Sequence, residues 1–378
     1  MSLQSLVFCS DEKILRVLRR VLSDLEVRVE QCGDADSAIH KLTRQRYEAV
    51  IVDCTDEQQA AHVLKSARSA PSNKRAVAVA IIDGEKAVRG AFDLGAHFVL
   101  YKPISMERAK SSFRAAHALM KRERRRNQRV LVEIPVALIG TDGRTETVTV
   151  DLGEGGMAVQ AGRLSKNSKG LRLQFNLPGS RAIDTAAEIA WENSSRQTGL
   201  RFVEMLPAER QELKRWLERV SPDEIVKDDP PVSTRLTDLS PAACYLETST
   251  PFPMRAKVLL SMRVSETALQ VGGIVQLMHP DKGMGIEFIR TTQAQRANLE
   301  KFIHVLHDNH GAIAELFVEP EGLETAEFAS IKDTQGDSLL ELFFRKADLS
   351  AEEFQNELSR QRGGGSSEKS AAAAAFSA

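Results

Sequence analysis

The strongest constraint in the sequence is a repeat. The stretch "VDLGEGGMAVQA" returns downstream as "TDLSPAACYLET", which sets Asp238 on Asp151 and Ser240 on Gly153. Further along, "GLRFVEMLPAERQELKRWL" returns as "GIEFIRTTQAQRANLEKFI", with Gly285 on Gly199, Phe288 on Phe202, Leu299 on Leu213 and Phe302 on Trp216. The two registers differ by a single residue, so the chain holds one supersecondary unit twice. Each copy consists of short alternating strands ended by turn signals, the first with Asp-Gly and Gly-Gly, and closes on an amphipathic helical pattern. That grammar reads as a small antiparallel barrel or sandwich with a terminal helix.

The first 120 residues have a different grammar. Apolar runs such as "SLVFCS", "YEAVIVDC", "RAVAVAII" and "HFVLYKP" alternate with helical patterns. In one of these, Ile14, Leu15, Leu18, Val21, Leu22 and Leu25 recur on a single face. Near-continuous apolar strands alternating with helices predict a parallel sheet covered on both sides. A last amphipathic helix is predicted from Ile104 to about Met120, with Lys121 to Arg124 finishing it and Arg125 and Arg129 leading into the next strand. The resulting division is 1–120, an α/β domain; 121–220, the first barrel; 221–232, a Pro- and Asp-rich linker; 233–310, the second barrel; and 311–378, an acidic tail, partly helical and partly disordered.

With 378 residues and 42% hydrophobic content, the chain has enough apolar surface for several cores. The formal net charge of −1 excludes a whole-protein field for polyanions, and the positive charge is local, in "KRERRRNQRV" at 121–130. Four scattered cysteines without CxxC spacing fit a reducing compartment. No run of 18 apolar residues occurs. A cytoplasmic protein with no membrane contact is the expectation.

The third strand of the α/β part ends in Asp53, and the fifth ends in "YKPI" with Lys102. This arrangement resembles the receiver domain of bacterial two-component systems, a flavodoxin-like fold with a parallel five-stranded sheet. The resemblance implies Asp53 as phosphoacceptor, Asp11 (beside Glu12) as an Mg²⁺ ligand and Lys102 as the cation that stabilises the phosphoryl group. Ser10 stands at one acidic position, and "AVAVAIIDG" lacks the hydroxyl residue of the pattern. These departures favour a pseudo-receiver used for docking or dimerisation.

Arg125 and Arg129 form an RxxxR pair just before the first barrel strand, and Asp151 to Gly156 form a DxxxxG pattern. In this order the two resemble the signature of PilZ domains, bacterial receptors for cyclic di-GMP. The resemblance implies a ligand site of Arg125, Arg129, Asp151, Gly153 and Gly156, with Ser replaced by Gly153. Arginine suits this ligand because its planar fork pairs with phosphate oxygens or the guanine edge, and its face stacks on purines. The expectation is that a flexible linker bearing Arg125 and Arg129 wraps the ligand. The second copy has Ala243 where the motif wants Gly and only Arg235 upstream. It reads as a degenerate PilZ-like unit with a structural or dimerising role.

The chain therefore reads as a non-enzymatic bacterial signalling adaptor. It binds cyclic di-GMP, reorients its receiver-like domain, and meets an unidentified protein partner through that domain or the C-terminal tail. Alternatives are a ligand-free scaffold and a weak nucleic-acid grip through 121–129, which predicts steep salt dependence. His304, His307 and His310 are three apart, but that spacing drifts around a helix, so no metal site is read there.

Overall fold

The computed structural model describes residues 2–84, 87–141, 143–160, 171–179, 182–221, 229–279, 282–289, 293–308, 314–323, 337–344, 353–354 and 356–358. The chain divides into two compact units, residues 121–228 and residues 2–120 together with 229–378.

Five strands, β1 (Leu3–Phe8), β2 (Val27–Cys32), β3 (Ala49–Asp53), β4 (Val77–Ile82) and β5 (Phe98–Tyr101), pair in parallel in the order β2-β1-β3-β4-β5. This is the doubly wound flavodoxin-like order. β3 and β4 are buried at every position, as strands covered on both faces must be. The helices between them are α1 (Glu12–Asp24), α2 (Ala35–Arg44), α3 (Glu57–Ser69) and α4 (Val88–Asp93). Asp11, Asp34 and Asp56 cap the first three by accepting backbone N–H bonds.

The last helix, α5 (Met106–Asn127), corrects the sequence reading. It does not stop at Arg124 but runs on through Arg125 to Asn127, because Lys, Arg and Glu favour helix and no Gly or Pro interrupts them. Arg125 therefore sits on a helix rather than on a flexible linker.

In the unit 121–228, β7 (Pro135–Gly140), β8 (Gly143–Gly153), β9 (Gly156–Val159), β10 (Leu171–Asn176), β11 (Ala182–Glu192) and β12 (Thr198–Glu204) close a ring in the order β8-β7-β10-β11-β12-β9. The short β6 (Val130–Leu131) pairs on β8. Helix α6 (Pro207–Val220) places Leu213, Trp216 and Leu217 in the barrel core.

The second barrel is β13 (Val232–Leu239), β14 (Ala243–Glu247), β17 (Gly283–Phe288), β16 (Thr267–His279), β15 (Ala256–Val264) and β18 (Glu315–Leu323), in that ring order. It is the first barrel circularly permuted. β7, between β8 and β10, opens the first barrel, whereas β18, in the corresponding place between β13 and β15, comes after helix α7 (Gln293–Asp308). The acidic tail read from residue 311 is thus corrected, since its first part closes a barrel and buries Leu316, Val318 and Leu323. Beyond it, α8 (Ser338–Phe344) with Phe354 and Leu358 covers Ala242, Ala243, Tyr245 and Leu277. The low-complexity end after 358 lies outside the described residues, as do 222–228 of the linker.

The duplication extends to side chains. In the first barrel Trp191 faces Gly199 and its indole lies where a glycine side chain would be. The second barrel pairs Leu277 with Gly285, and Phe343 of α8 takes the space instead. The second barrel packs directly on the α/β part and shares one core with it. Ser111 Oγ donates to the Ser249 carbonyl at 2.7 Å, and His117 Nδ1 lies 3.1 Å from Asp229 Oδ2. The second copy is a structural support for the α/β domain.

Candidate functional site

The end of α5 meets the β8–β9 turn, and four of the five expected ligand residues converge around that turn and the junction leading to β6. Asp151 projects from β8, Gly153 ends that strand and Gly156 begins β9, with Gly153 paired on Gly156. Arg129 comes just after α5 and its Nε lies 3.5 Å from Asp151 Oδ1, both side chains being part-exposed. Asp151 Oδ1 also accepts from the Ala158 amide at 3.1 Å.

The glycines are required by close approach. A Cβ on Gly156 would fall 2.1 Å from the Leu200 carbonyl oxygen, at φ +156°. A Cβ on Gly153 would fall 2.2 Å from the Gln128 carbonyl oxygen. The segment between α5 and β6 therefore lies directly on the turn, and a serine at 153 has no room in this arrangement.

Arg125 is placed differently. Its side chain is 2% exposed, its Nε pairs with Glu154 Oε1, and its Nη2 lies 2.8 Å from Glu218 Oε1. Arg122 Nη1 holds the other Glu154 oxygen at 2.5 Å. Sequence reasoning missed Glu154, Glu218 and Arg122 because a motif treats intervening residues as spacers. The available signal was a lone glutamate inside a glycine-rich turn, downstream of a dense run of arginines. With Arg122 and Arg125 held in ion pairs, the basic run presents less free charge to a nucleic acid than its composition implies.

The second copy shows what replaces the arginines. Ser240 accepts from the Ala243 amide at 3.0 Å, and the Ala242 amide donates to Asp337 Oδ2 at 3.0 Å. The C-terminal segment covers the turn that corresponds to Gly153–Gly156. Of the three histidines, His304 and His307 lie on α7, while His310 lies outside the described residues.

In the α/β part, Lys102 Nζ lies 2.7 Å from Asp53 Oδ1 and 3.8 Å from Asp83 Oδ2. Thr55 Oγ1 donates to Asp53 Oδ1 at 2.8 Å, and the Cys9 thiol donates to Oδ2 at 3.4 Å. The peptide bond between Lys102 and Pro103 is cis. The Asp11 carboxylate caps α1, its Oδ1 accepting from Lys13 N at 2.7 Å and from Ile14 N at 3.3 Å. Magnesium wants several hard oxygen ligands. Asp53 Oδ1 is engaged by Lys102 and Thr55, Oδ2 by the Cys9 thiol, and Asp11 commits Oδ1 to the cap, which leaves the ion few hard oxygens without a donor on them.

Burial works against the Asp53 charge, but the hydrogen bonds from Lys102 and Thr55 and the lysine's charge outweigh it, so the carboxyl titrates below its ordinary value. Burial also pushes the Cys9 thiol up to about 11, which keeps it a neutral donor. A carboxyl depressed in the folded state adds stability above the unfolded aspartate value of about 3.9, and loses it as pH falls through the folded value. A carbon-13 titration of Asp53 is expected to give a midpoint below that value. Lys102→Ala should move it upward, because burial then dominates. An unmoved midpoint would refute the pairing.

Residues 123–219 match the family described as PilZ domain. No curated protein matches the chain. Among solved structures, the receiver domain of a sensor histidine kinase from Pseudomonas aeruginosa is 20% identical with a TM-score of 0.28 over 32% of this chain and 98% of that one. Its description reports a magnesium ion in the active-site cleft. The PilZ domain of CeSA from a cellulose-synthesizing bacterium is 19% identical, with a TM-score of 0.22 over 25% of this chain and 99% of that one. An inhibitor of motility from Bacillus subtilis is 23% identical, with a TM-score of 0.22 over 25% of this chain and 50% of that one. The chain thus carries a doubly wound α/β fold ahead of a segment, residues 123–219, that matches the PilZ domain family. Among the described residues no helix is long and apolar enough to cross a membrane.

Proposed function

We propose that this protein is a non-enzymatic signalling adaptor that binds cyclic di-GMP at the α5–β8/β9 junction. The observation that carries the reading is the convergence of Arg129 and Asp151, 3.5 Å apart and part-exposed, beside Gly153 and Gly156 within the PilZ match at 123–219. Arg129 supplies a fork for phosphate or the guanine edge, and Asp151 accepts from guanine N–H groups. The glycines let the ligand approach the backbone.

Transmission relies on α5, one helix from Met106 to Asn127 whose first part belongs to the α/β domain and whose last turns carry the arginines. Ligand that binds one placement of those turns better than another shifts the helix, and with it the receiver-like domain and an unidentified protein partner. The Asp53 cluster, with Lys102 on the carboxylate and Asp11 Oδ1 committed to the α1 cap, supports a pseudo-receiver used for docking over a phosphoacceptor.

Calorimetry tests the reading. The wild type is expected to bind cyclic di-GMP, and Arg129→Ala to lose at least about tenfold in affinity, the worth of a charged hydrogen bond. Absence of heat in the wild type, or equal affinity in the variant, refutes it. A titration repeated at two salt concentrations identifies a nucleic-acid grip, whose affinity would instead collapse with salt.

A further inference from the structure

Arg122 and Arg125 lie three residues apart on one face of α5 and both point to Glu154, one guanidinium on each carboxylate oxygen. The Glu154 side chain is 4% exposed. A carboxylate is removed from water at high cost, and here two arginines offset it. The seat has a simple chemical description: two anionic oxygens sharing one charge, held between two guanidinium groups. A phosphodiester offers the same pair of oxygens through its two non-bridging positions.

We infer that Arg122 and Arg125 form a phosphodiester seat that Glu154 occupies in the ligand-free protein. Glu154 is then the ligand's internal competitor, and Arg122 is a third arginine of the site, outside the RxxxR pair. The inference rests on the reading of this junction as a cyclic di-GMP site and adds how access to it is controlled. Glu218, on the exposed side of α6, holds Arg125 Nη2 at 2.8 Å and acts as a second, weaker competitor.

The surroundings support exchange. Glu154 sits between Gly153 and Gly155, and both glycines lie beneath the backbone that leads on from the arginines. The Gln128 carbonyl lies over Gly153 and the Arg126 carbonyl over Gly155. A phosphodiester that takes the seat must swing Glu154 out and lift that backbone from the turn. Binding and movement at the end of α5 are thereby one event.

Calorimetry with cyclic di-GMP on the full chain tests this. Glu154→Gln removes the competing charge while keeping the shape, and should tighten binding by roughly tenfold. Glu218→Gln, at a part-exposed position that folding tolerates, should tighten it by a smaller factor. Glu146→Gln, which removes an exposed charge paired with Arg144 on β8, should leave affinity unchanged. Arg122→Lys in the Glu154→Gln background should erase the gain, because lysine lacks the fork. A merely structural clasp predicts weaker or unchanged binding when Glu154 is neutralised. Equal or weaker binding by both folded glutamine variants therefore overturns the inference while leaving wild-type binding intact. A gain that survives Arg122→Lys removes Arg122 from the seat. No binding by wild type or any variant overturns the receptor reading itself.

Discussion

Ending the chain after His310 is expected to abolish cooperative folding of the unit formed by residues 2–120 and 229–378. The cut removes β18, whose Leu316, Val318 and Leu323 are each 3% exposed or less, and leaves β13 and β15 as open edges. Each large buried side chain removed costs about 2–5 kcal/mol, and a whole domain is stable by only about 5–15 kcal/mol. Two raw edges beside an exposed apolar interior also invite aggregation. A shorter truncation after Leu323 separates the contribution of the strand from that of α8, Phe354 and Leu358. It keeps the barrel closed and uncovers Tyr245, Leu277 and Gly285, so it should remain folded with a lower urea midpoint and increased binding of a hydrophobic dye. A chain ending at His310 that stays soluble with an unchanged midpoint would show that β18 is dispensable.

The second large effect is expected at Gly156. Alanine there would place a methyl group 2.1 Å from the Leu200 carbonyl oxygen, a backbone atom with no side chain to yield. β9 would have to part from β12 along the pairs Gly156–Arg201 and Met157–Leu200. Met157 and Leu200 are core residues, so the separation spreads inward. A loss of about 3 kcal/mol, at the upper end of single-site overpacking costs, is expected in chemical denaturation of the 121–228 unit. Gly143, also at positive φ but with open space around a Cβ, is the comparison, and alanine there should cost far less. Equal losses at both positions would mean that conformation rather than contact requires Gly156.

Much of this architecture was legible in the sequence. Continuous apolar runs such as Ala49–Asp53 and Val77–Ile82 announced a parallel sheet, and the repeat announced two like barrels. β18 stayed hidden because Glu315, Glu319 and Glu321 give it the composition of an acidic tail, with Pro320 and Gly322 reading as loop. Its alternation of Leu316 and Val318 with exposed neighbours is a strand pattern that composition outweighed. The permutation had no local signal, since it depends on which edge a distant strand reaches. At the candidate ligand site, Arg129, Asp151 and the glycines were singled out by motif spacing. The burial of Arg125 was not legible, because the carboxylates that hold it come from a turn and from a helix far along the chain. Beside Asp53, Lys102 stood out from its place at the end of a strand. The roles of Thr55 and Cys9 depended on loop geometry, and so did the cap that Asp11 makes with Oδ1.

Chain order also determines when each barrel is complete during synthesis. The first has all its strands and its helix once Val220 has left the ribosome, and it closes while translation continues. The permuted second barrel waits for Leu323, so the α/β domain that leans on it emerges first and stays without its support for the length of two further domains. Domains otherwise fold as they emerge, N-terminal first. Here the α/β domain, made before both barrels, is finished only with the second of them. Nascent chains stalled between α7 and β18 should therefore be the ones that engage chaperones, while those stalled just after α6 should already hold a closed barrel.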